Sequence, residues 1–441
     1  MARQLFGTDG VRGKAGHFLT ADLALSLARA AVARGQAERP QVLIVRDTRE
    51  SGEMLESAIA AGVTAAGGDA LVAGVLPTPA APLLIRRHGL DLAAVISASH
   101  NPYEDNGIKL FAADGFKLDD DTERAIEAEL DQPPPPPARI GRVRRFLGAL
   151  EDYVDQLYGR FAELELRGMR MLLDCANGAT YRAAPEIFRR LGAEVTVLAD
   201  QPDGRNINDG CGSTHLELVC AEMTAGDFDV AFAFDGDGDR VLAVDRRGEV
   251  VDGDELVALA AVHLRAQHRL PGNGVAVTVM TNYGFHSAMK AAGIEVATTQ
   301  VGDRYVLDEL RKRGWALGGE QSGHIIDLGF GPSGDGIASA LLTLEALGGR
   351  DLSERDAMEK LPQRLVNIRA ADRPALAAAM DDAEVKAAIE REQAALTDRG
   401  RVLVRASGTE PLIRVMVETP SHEETDAVCA RLTGVVEAAV R

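Results

Sequence analysis

The chain has 441 residues, 46% hydrophobic and only 4% aromatic, with 48 Lys and Arg against 67 Asp and Glu for a net charge of −19. That length accommodates two to four domains, each with its own core, and no run of about 18 apolar residues marks a membrane span. The acidic balance and the scarcity of stacking rings speak against nucleic acid as a partner. No secretory apolar segment follows Met1, and four cysteines (Cys175, Cys211, Cys220, Cys429) without a CxxC pair fit reduced thiols in a cytoplasmic protein.

In chain order, Phe6-Gly-Thr-Asp-Gly-Val-Arg-Gly13 first sets a cation, Arg12, between glycines. Residues 41–45 then read as a strand that leads through an Ala-rich amphipathic helix to a glycine-opened strand at 67–72. The same unit recurs from 170–174 to 192–197 and from 275–279 to 293–298. Three such units predict three related α/β domains with mixed, largely parallel sheets. The proline run 133–137 reads as a stiff extended spacer late in the first domain. Beyond residue 365, strands at 365–369, 401–405 and 412–417, with helices near 375–396 and 423–440, predict a small α+β domain. The expected boundaries are 1–150, 151–252, 253–364 and 365–441.

Four glycine-bounded polar loops carry the chemistry. The apolar run 92–96 ends in Ile96-Ser-Ala-Ser-His-Asn-Pro102, the kind of strand-to-loop transition where open sheets present reactive groups. It sets the Ser99 hydroxyl beside His100 in a surface loop, with Lys109 ten residues on. A lone Ser-His pair is no more than a turn, and its weight comes from the other loops. Asp235-Gly-Asp-Gly-Asp-Arg240 follows the apolar run 230–234. In an extended loop residues i, i+2 and i+4 share a face, so Asp235, Asp237 and Asp239 converge and repel unless a cation lies between them. An all-oxygen set without His or Cys suits Mg²⁺ or another hard divalent ion. An EF-hand loop is excluded, because its sixth position is Arg240 rather than Gly and its twelfth is Arg246 rather than Glu. In Gly318-Gly-Glu-Gln-Ser-Gly-His324, Glu320 and Ser322 suit the hydroxyls of a sugar, although a plain turn explains the loop equally well. In Arg405-Ala-Ser-Gly-Thr-Glu-Pro411, with Arg414 beyond, a guanidinium, two hydroxyls and a glycine amide can cradle a phosphate. In so acidic a chain an anionic ligand must be drawn in by local Arg and Lys. The loops read as walls of one central cleft.

From Phe6 to about Val417 these motifs, in this order, resemble the α-D-phosphohexomutase superfamily and, within it, the bacterial phosphoglucosamine mutases. Gln321 stands where phosphomannomutase/phosphoglucomutase enzymes often carry Met, and the stretch Val301-Gly-Asp-Arg-Tyr-Val306 is similar to the glucosamine type. The resemblance implies four domains around the cleft, with Ser99 carrying a phosphoryl group and completing a Mg²⁺ shell made by Asp235, Asp237 and Asp239. It implies that Lys109 and His324 assist proton transfer, while Arg12, His100 and Arg240 support the transferring phosphate. Glu320 and Ser322 would hold the sugar, together with Gly302, Asp303 and Arg304. Arg405, Ser407, Gly408, Thr409 and Arg414 would hold the distal phosphate. The implied reaction interconverts glucosamine 6-phosphate and glucosamine 1-phosphate through a phosphoserine enzyme and a sugar bisphosphate. It would feed amino-sugar nucleotide and peptidoglycan precursor synthesis, in a monomer or homodimer. The rivals are a phosphomannomutase/phosphoglucomutase acting on neutral hexose phosphates, a metal-assisted phosphatase with Ser99 as nucleophile, and a sugar-phosphate sensor. A sensor has no use for a phosphoryl carrier and its metal.

Overall fold

The structure, a computed structural model, describes residues 5–7, 9–35, 37–130, 137–407 and 411–440. It divides into two compact units: Met1–Val279 with Glu295–Arg355, and Met280–Ile294 with Asp356–Arg441. The expected Pro133–Pro137 spacer lies outside the described residues except for Pro137.

The first unit holds three sheets. In the first, β1 (Val11–Lys14), β2 (Gln41–Arg46), β3 (Asp69–Val75), β4 (Leu92–Ile96), β5 (Asp105–Ala112) and β6 (Val143–Arg145) run in the order β1-β5-β4-β2-β3-β6. β2 is parallel to β3 and β4, whereas β5 is antiparallel to β4 and β1. The Val-Leu-Ile-Val run of β2 is buried on both faces, as a central parallel strand covered by helices requires. In the second sheet, β7 (Arg170–Asp174), β8 (Glu194–Leu198), β9 (Val230–Phe234), β10 (Val241–Asp245) and β11 (Val250–Val251) take the order β11-β10-β9-β7-β8. β9 is wholly buried and turns back antiparallel into β10, so the loop 235–240 is a hairpin tip. In the third, β12 (Gly274–Thr278), β13 (Glu295–Thr299), β14 (Leu317–Gly319) and β15 (Ile325–Asp327) take the order β13-β12-β14-β15, with the loop 320–324 closing the β14–β15 hairpin. The expected strand–helix–strand units are present: β2 with β3, β7 with β8 and β12 with β13 are parallel pairs. The residues of interest leave the carboxyl ends of β4, β9 and β14, where open α/β sheets present their ligands.

In the second unit β16 (Gln363–Arg369), β17 (Arg401–Ala406) and β18 (Leu412–Glu418) form an antiparallel sheet ordered β16-β18-β17. The single helix expected near 375–396 is two, Arg373–Asp381 and Ala383–Leu396. Asp382 breaks it. Its backbone is extended (φ −60°, ψ 134°), and its carboxylate accepts the amide N–H groups of Glu384 (2.8 Å) and Val385 (3.0 Å), an N-cap that competes with helix continuation. The helix Tyr283–Ala291 joins this unit through the buried Glu418 carboxylate, which accepts the Tyr283 N–H (3.0 Å) and the Asn282 (3.3 Å) and Gln363 (2.7 Å) amides. Among the described residues no helix is long and apolar enough to cross a membrane.

Candidate active site

Ser99 is buried, not in a surface loop as expected: it is 1% exposed. The loop after β4 is covered by the loop after β9, and the Ser99 hydroxyl donates to Asp235 Oδ2 at 2.5 Å. Ser99 has φ 54°, in the left-handed region that a side chain normally avoids at a cost of about 1–2 kcal/mol. His100 Nδ1 lies 3.2 Å from the same hydroxyl. Burial, then the Arg240 and Arg12 charges, push the His100 imidazole down to about 4, so it is neutral at pH 7.

The β9–β10 hairpin brings Asp235, Asp237 and Asp239 together, with one carboxylate oxygen of each lying within 4.8 Å of the others. Asp237 Oδ2 accepts the Thr78 hydroxyl (2.7 Å) and the Lys109 ammonium (2.9 Å). Burial and the charges of Asp239 and Asp237 push the Asp235 carboxyl well above the usual range. Burial acts the same way on Asp237, but Lys109 and the Thr78 hydroxyl outweigh it and hold this carboxyl low. Among the described residues Asp237 Oδ1 and Asp239 Oδ1 are buried without a hydrogen-bond partner. A buried acceptor left unpaired costs about 1–3 kcal/mol. Two such oxygens beside Asp235, with no nitrogen or sulfur donor in the group, fit a hard divalent cation.

Lys109 sits on β5, fully buried, with Asp237, Asp239 (3.4 Å) and Asp9 (3.0 Å) around its ammonium. Burial alone would discharge it, but the three carboxylates raise its pKa well above the usual value. It is therefore a fixed cation that holds its proton and donates hydrogen bonds to the carboxylates around it. Asp9 also pairs with Arg12 on β1 and with Lys117, whose ammonium reaches Asp303 at 2.5 Å. Arg12 Nη1 lies 3.5 Å from the Ala98 carbonyl, one residue before Ser99.

The β14–β15 hairpin carries Glu320 and His324 at its tip. Glu320 Oε1 accepts the Gly302 N–H (3.0 Å), and Arg240 bridges to His324 through the backbone. His324 is buried, its Nδ1 has no hydrogen-bond partner among the described residues, and its Nε2 lies 3.9 Å from Asp303. Ser322 is exposed. Arg304 pairs with Asp120 (2.5 Å) and Glu123 (3.5 Å) on the acidic helix Asp120–Glu129.

In the second unit Arg405 and Arg414 stand directly opposite on β17 and β18. Burial and the Arg414 charge lower the Arg405 pKa, and Arg405 Nε is buried without a hydrogen-bond partner among the described residues. Like charges facing across a strand pair are unfavourable, so this pair is suited to an anion. Ser407 donates its N–H to Leu412 (2.8 Å), and Gly408 and Thr409 lie outside the described residues.

Ser99, His100, Lys109, Arg12, Asp235, Asp237, Asp239, Arg240, Gly302, Asp303, Glu320 and His324 thus belong to one connected network of the first unit. Sequence reasoning missed Asp9, Lys117 and Thr78. Asp9 had a signal, standing two residues after Gly7 and just before Gly10 in the Arg12 motif. Thr78 and Lys117 had none.

Domain families described as phosphoglucomutase/phosphomannomutase match the chain four times: α/β/α domain I over residues 3–134, domain II over 151–248, domain III over 252–365 and the C-terminal domain over 365–435. The phosphoglucosamine mutase of Moorella thermoacetica is 51% identical over 97% of this chain and 98% of its own length. That of Heliobacterium modesticaldum is 47% identical over 98% and 99%. Among solved structures, a phosphoglucomutase/phosphomannomutase family protein from Burkholderia thailandensis superposes with a TM-score of 0.83 at 24% identity, covering 100% of this chain and 98% of that one. The Aspergillus fumigatus N-acetylphosphoglucosamine mutase, in complex with GlcNAc-6P and magnesium, superposes at 0.69 and 18% identity over 99% and 96%. At these identities the two structures speak for the fold.

Proposed function

Since the chain belongs to the phosphoglucosamine mutase family of phosphohexomutases and is an isomerase by intramolecular phosphoryl transfer, we propose that Ser99 is its phosphoryl carrier in the interconversion of glucosamine 6-phosphate and glucosamine 1-phosphate. The observation that carries this reading is the Ser99 hydroxyl at 2.5 Å from Asp235, at the edge of a carboxylate group in which two buried oxygens have no hydrogen-bond partner among the described residues. A phosphoryl group on Ser99 passes to a sugar hydroxyl, breaking the P–Oγ bond and forming a P–O bond to the sugar. The bisphosphate then turns over and returns its other phosphoryl group to Ser99. Such transfers demand positioning and charge neutralisation above all.

Asp235, Asp237 and Asp239, with Ser99, would hold Mg²⁺. When bound, the ion supplies positive charge to the transferring oxygens. Lys109 and Arg12 add fixed positive charge, Arg240 and neutral His100 steady the phosphate, and His324 takes the sugar hydroxyl proton at its Nδ1, which has no hydrogen-bond partner among the described residues. Glu320, Ser322, Gly302, Asp303 and Arg304 orient the sugar, and Arg405, Ser407, Gly408, Thr409 and Arg414 receive the distal phosphate. The assignment of domains to 1–150, 151–252, 253–364 and 365–441, a cytoplasmic location and a monomeric or homodimeric state complete the proposal.

The test supplies glucosamine 6-phosphate, Mg²⁺ and a trace of sugar bisphosphate, and measures glucosamine 1-phosphate. Ser99→Ala is expected to fold, since it removes only the hydroxyl's contacts with Asp235 and His100, about 1 kcal/mol each, and to lose turnover. Near-normal turnover in that variant overturns the carrier role. Far better turnover of neutral hexose phosphates overturns the substrate assignment, and release of free phosphate in step with substrate loss would mark a hydrolase.

A further inference from the structure

The loop after β2 reads Arg46-Asp-Thr-Arg49, and the Arg49 side chain is wholly buried. All five of its N–H bonds have acceptors. Nε donates to Asp47 Oδ2 (2.8 Å), Nη1 to the carbonyls of Pro102 and Asp105 (3.0 Å for the latter), and Nη2 to the carbonyls of Ser99 (2.9 Å) and Asn101 (2.8 Å). Asp47 extends the grip. It accepts the Ser97 hydroxyl (2.6 Å), whose oxygen in turn accepts the Ser99 N–H (2.9 Å). From the loop that follows β8, Asn208 Nδ2 donates to the same two carbonyls, Ser99 at 3.0 Å and Asn101 at 3.2 Å. The Ser99 residue is thus held at its N–H and, from two sides, at its C=O.

That grip answers a problem of conformation. At φ 54° Ser99 is away from the regions that an L-residue prefers, and release would let the peptide rotate and carry Oγ from Asp235. A planar guanidinium with five donors in a fixed fork matches four carbonyls and a carboxylate around one turn. An ammonium, with three donors at one point, does not. We propose that Arg49 and Asn208 are positioning residues that keep Ser99 in its left-handed conformation, with the hydroxyl aimed at the acidic cluster. Both act through main-chain carbonyls and neither touches the reacting atoms. The proposal rests on Ser99 being the phosphoryl carrier.

The experiment uses the full dephosphorylated chain with Mg²⁺ and labelled glucosamine 1,6-bisphosphate. One phosphoryl group moves from a sugar oxygen to Ser99 Oγ, whose proton passes to the oxygen it leaves. The rate constant of labelling reports how well Ser99 is placed, and the final stoichiometry reports the fraction of folded enzyme. A merely structural role lowers the stoichiometry and leaves the rate constant alone. Arg49→Lys is expected to lower the rate constant about 100-fold, the cost of misplacing a reacting group by about 1 Å, and Asn208→Ala at least tenfold. In steady state the loss falls on kcat, with KM within about threefold. A folded variant of either residue whose rate constant falls by less than about tenfold overturns the assignment. Asn208→Ala removes only a neutral side chain, so it decides the matter if Arg49→Lys does not fold. Ser99→Ala, run beside them, separates the two readings: turnover in Ser99→Ala defeats the carrier role itself, whereas an inactive Ser99→Ala beside fast Arg49 and Asn208 variants defeats only this inference.

Discussion

Replacing Asp335 by Asn should stabilise the chain, by a gain that begins near pH 4 and is complete above about pH 6. Asp335 caps the buried helix Gly336–Leu347, accepting the Ala338 N–H at 2.9 Å, and both carboxylate oxygens receive the Tyr153 hydroxyl, at 3.0 and 2.9 Å. Burial pushes its pKa from 3.8 to about 6, against the lowering effect of the Ala338 N–H and Tyr153 hydroxyl bonds. A carboxyl whose pKa is raised by folding binds its proton more tightly in the folded chain. Its penalty is therefore absent below about pH 4, grows as pH rises, and is complete above the folded value. A shift of about two units corresponds to about 3 kcal/mol. Asn has the same shape, keeps an oxygen for the Ala338 N–H, and carries no charge at any pH. The unit concerned has roughly 340 residues, so with about 2.1 cal/mol/K of unfolding entropy per residue the gain is about 4 °C in Tm. Melting both chains at pH 4, 6 and 8 and subtracting cancels the titration of every other group. The difference should be near zero at pH 4 and reach its plateau by pH 8. A pH-independent difference, or one that grows toward acid, refutes the reasoning. The cap bears on the site, because the Gly336 N–H that follows it donates to the Gly238 carbonyl (3.0 Å) inside the acidic loop.

Two further outcomes are expected. Prolonged treatment with a chelator should abolish turnover, and excess Mg²⁺ should restore it; full activity in chelator would remove the three aspartates from their assigned role. Gly236→Ala would set a Cβ 2.7 Å from both the Ser99 carbonyl and Asn208 Nδ2, which should destabilise by about 1–3 kcal/mol and slow turnover at least tenfold. The control is Gly434→Ala in the helix His422–Val440, where nothing lies within 4 Å. It should gain about 0.5–1 kcal/mol from helix propensity alone.

What was legible in the chain follows from how far each property reaches along it. The paired strands of each α/β unit are local: apolar runs such as 41–45 and 230–234 announce buried strands by themselves, and the glycines that open β3, β8 and β13 stand next to them. The convergence of Asp235, Asp237 and Asp239 was legible for the same reason, since three carboxylates two residues apart on a hairpin tip share a face wherever the tip lies. Ser99's burial was not. It is imposed by Arg49, fifty residues earlier, and by Asn208 and Asp235, more than a hundred later, and no periodicity within the loop records them. The break at Asp382 was local and still missed, because an Asp inside an Ala-rich helical run is a cap only if its side chain turns back on its own backbone.

Charge was the other property that the sequence shows only in part. The resemblance read Arg12 and Arg240 as cations for the transferring phosphate and Lys109 as an aid to proton transfer. In the structure Arg12 and Lys109 are engaged by Asp9, and Lys109 also by Asp237 and Asp239. Six carboxylates (Asp9, Asp235, Asp237, Asp239, Asp303, Glu320) face four cations (Arg12, Lys109, Lys117, Arg240) in this network. The excess of negative charge can be relieved in two ways. A proton on Asp235 is one, and the raised pKa of that carboxyl is its mark. A divalent cation beside the oxygens of Asp237 and Asp239 that have no hydrogen-bond partner among the described residues is the other, and the proposed phosphoryl transfer calls for it, because a proton removes one negative charge and a divalent cation offsets two in a chain of net charge −19.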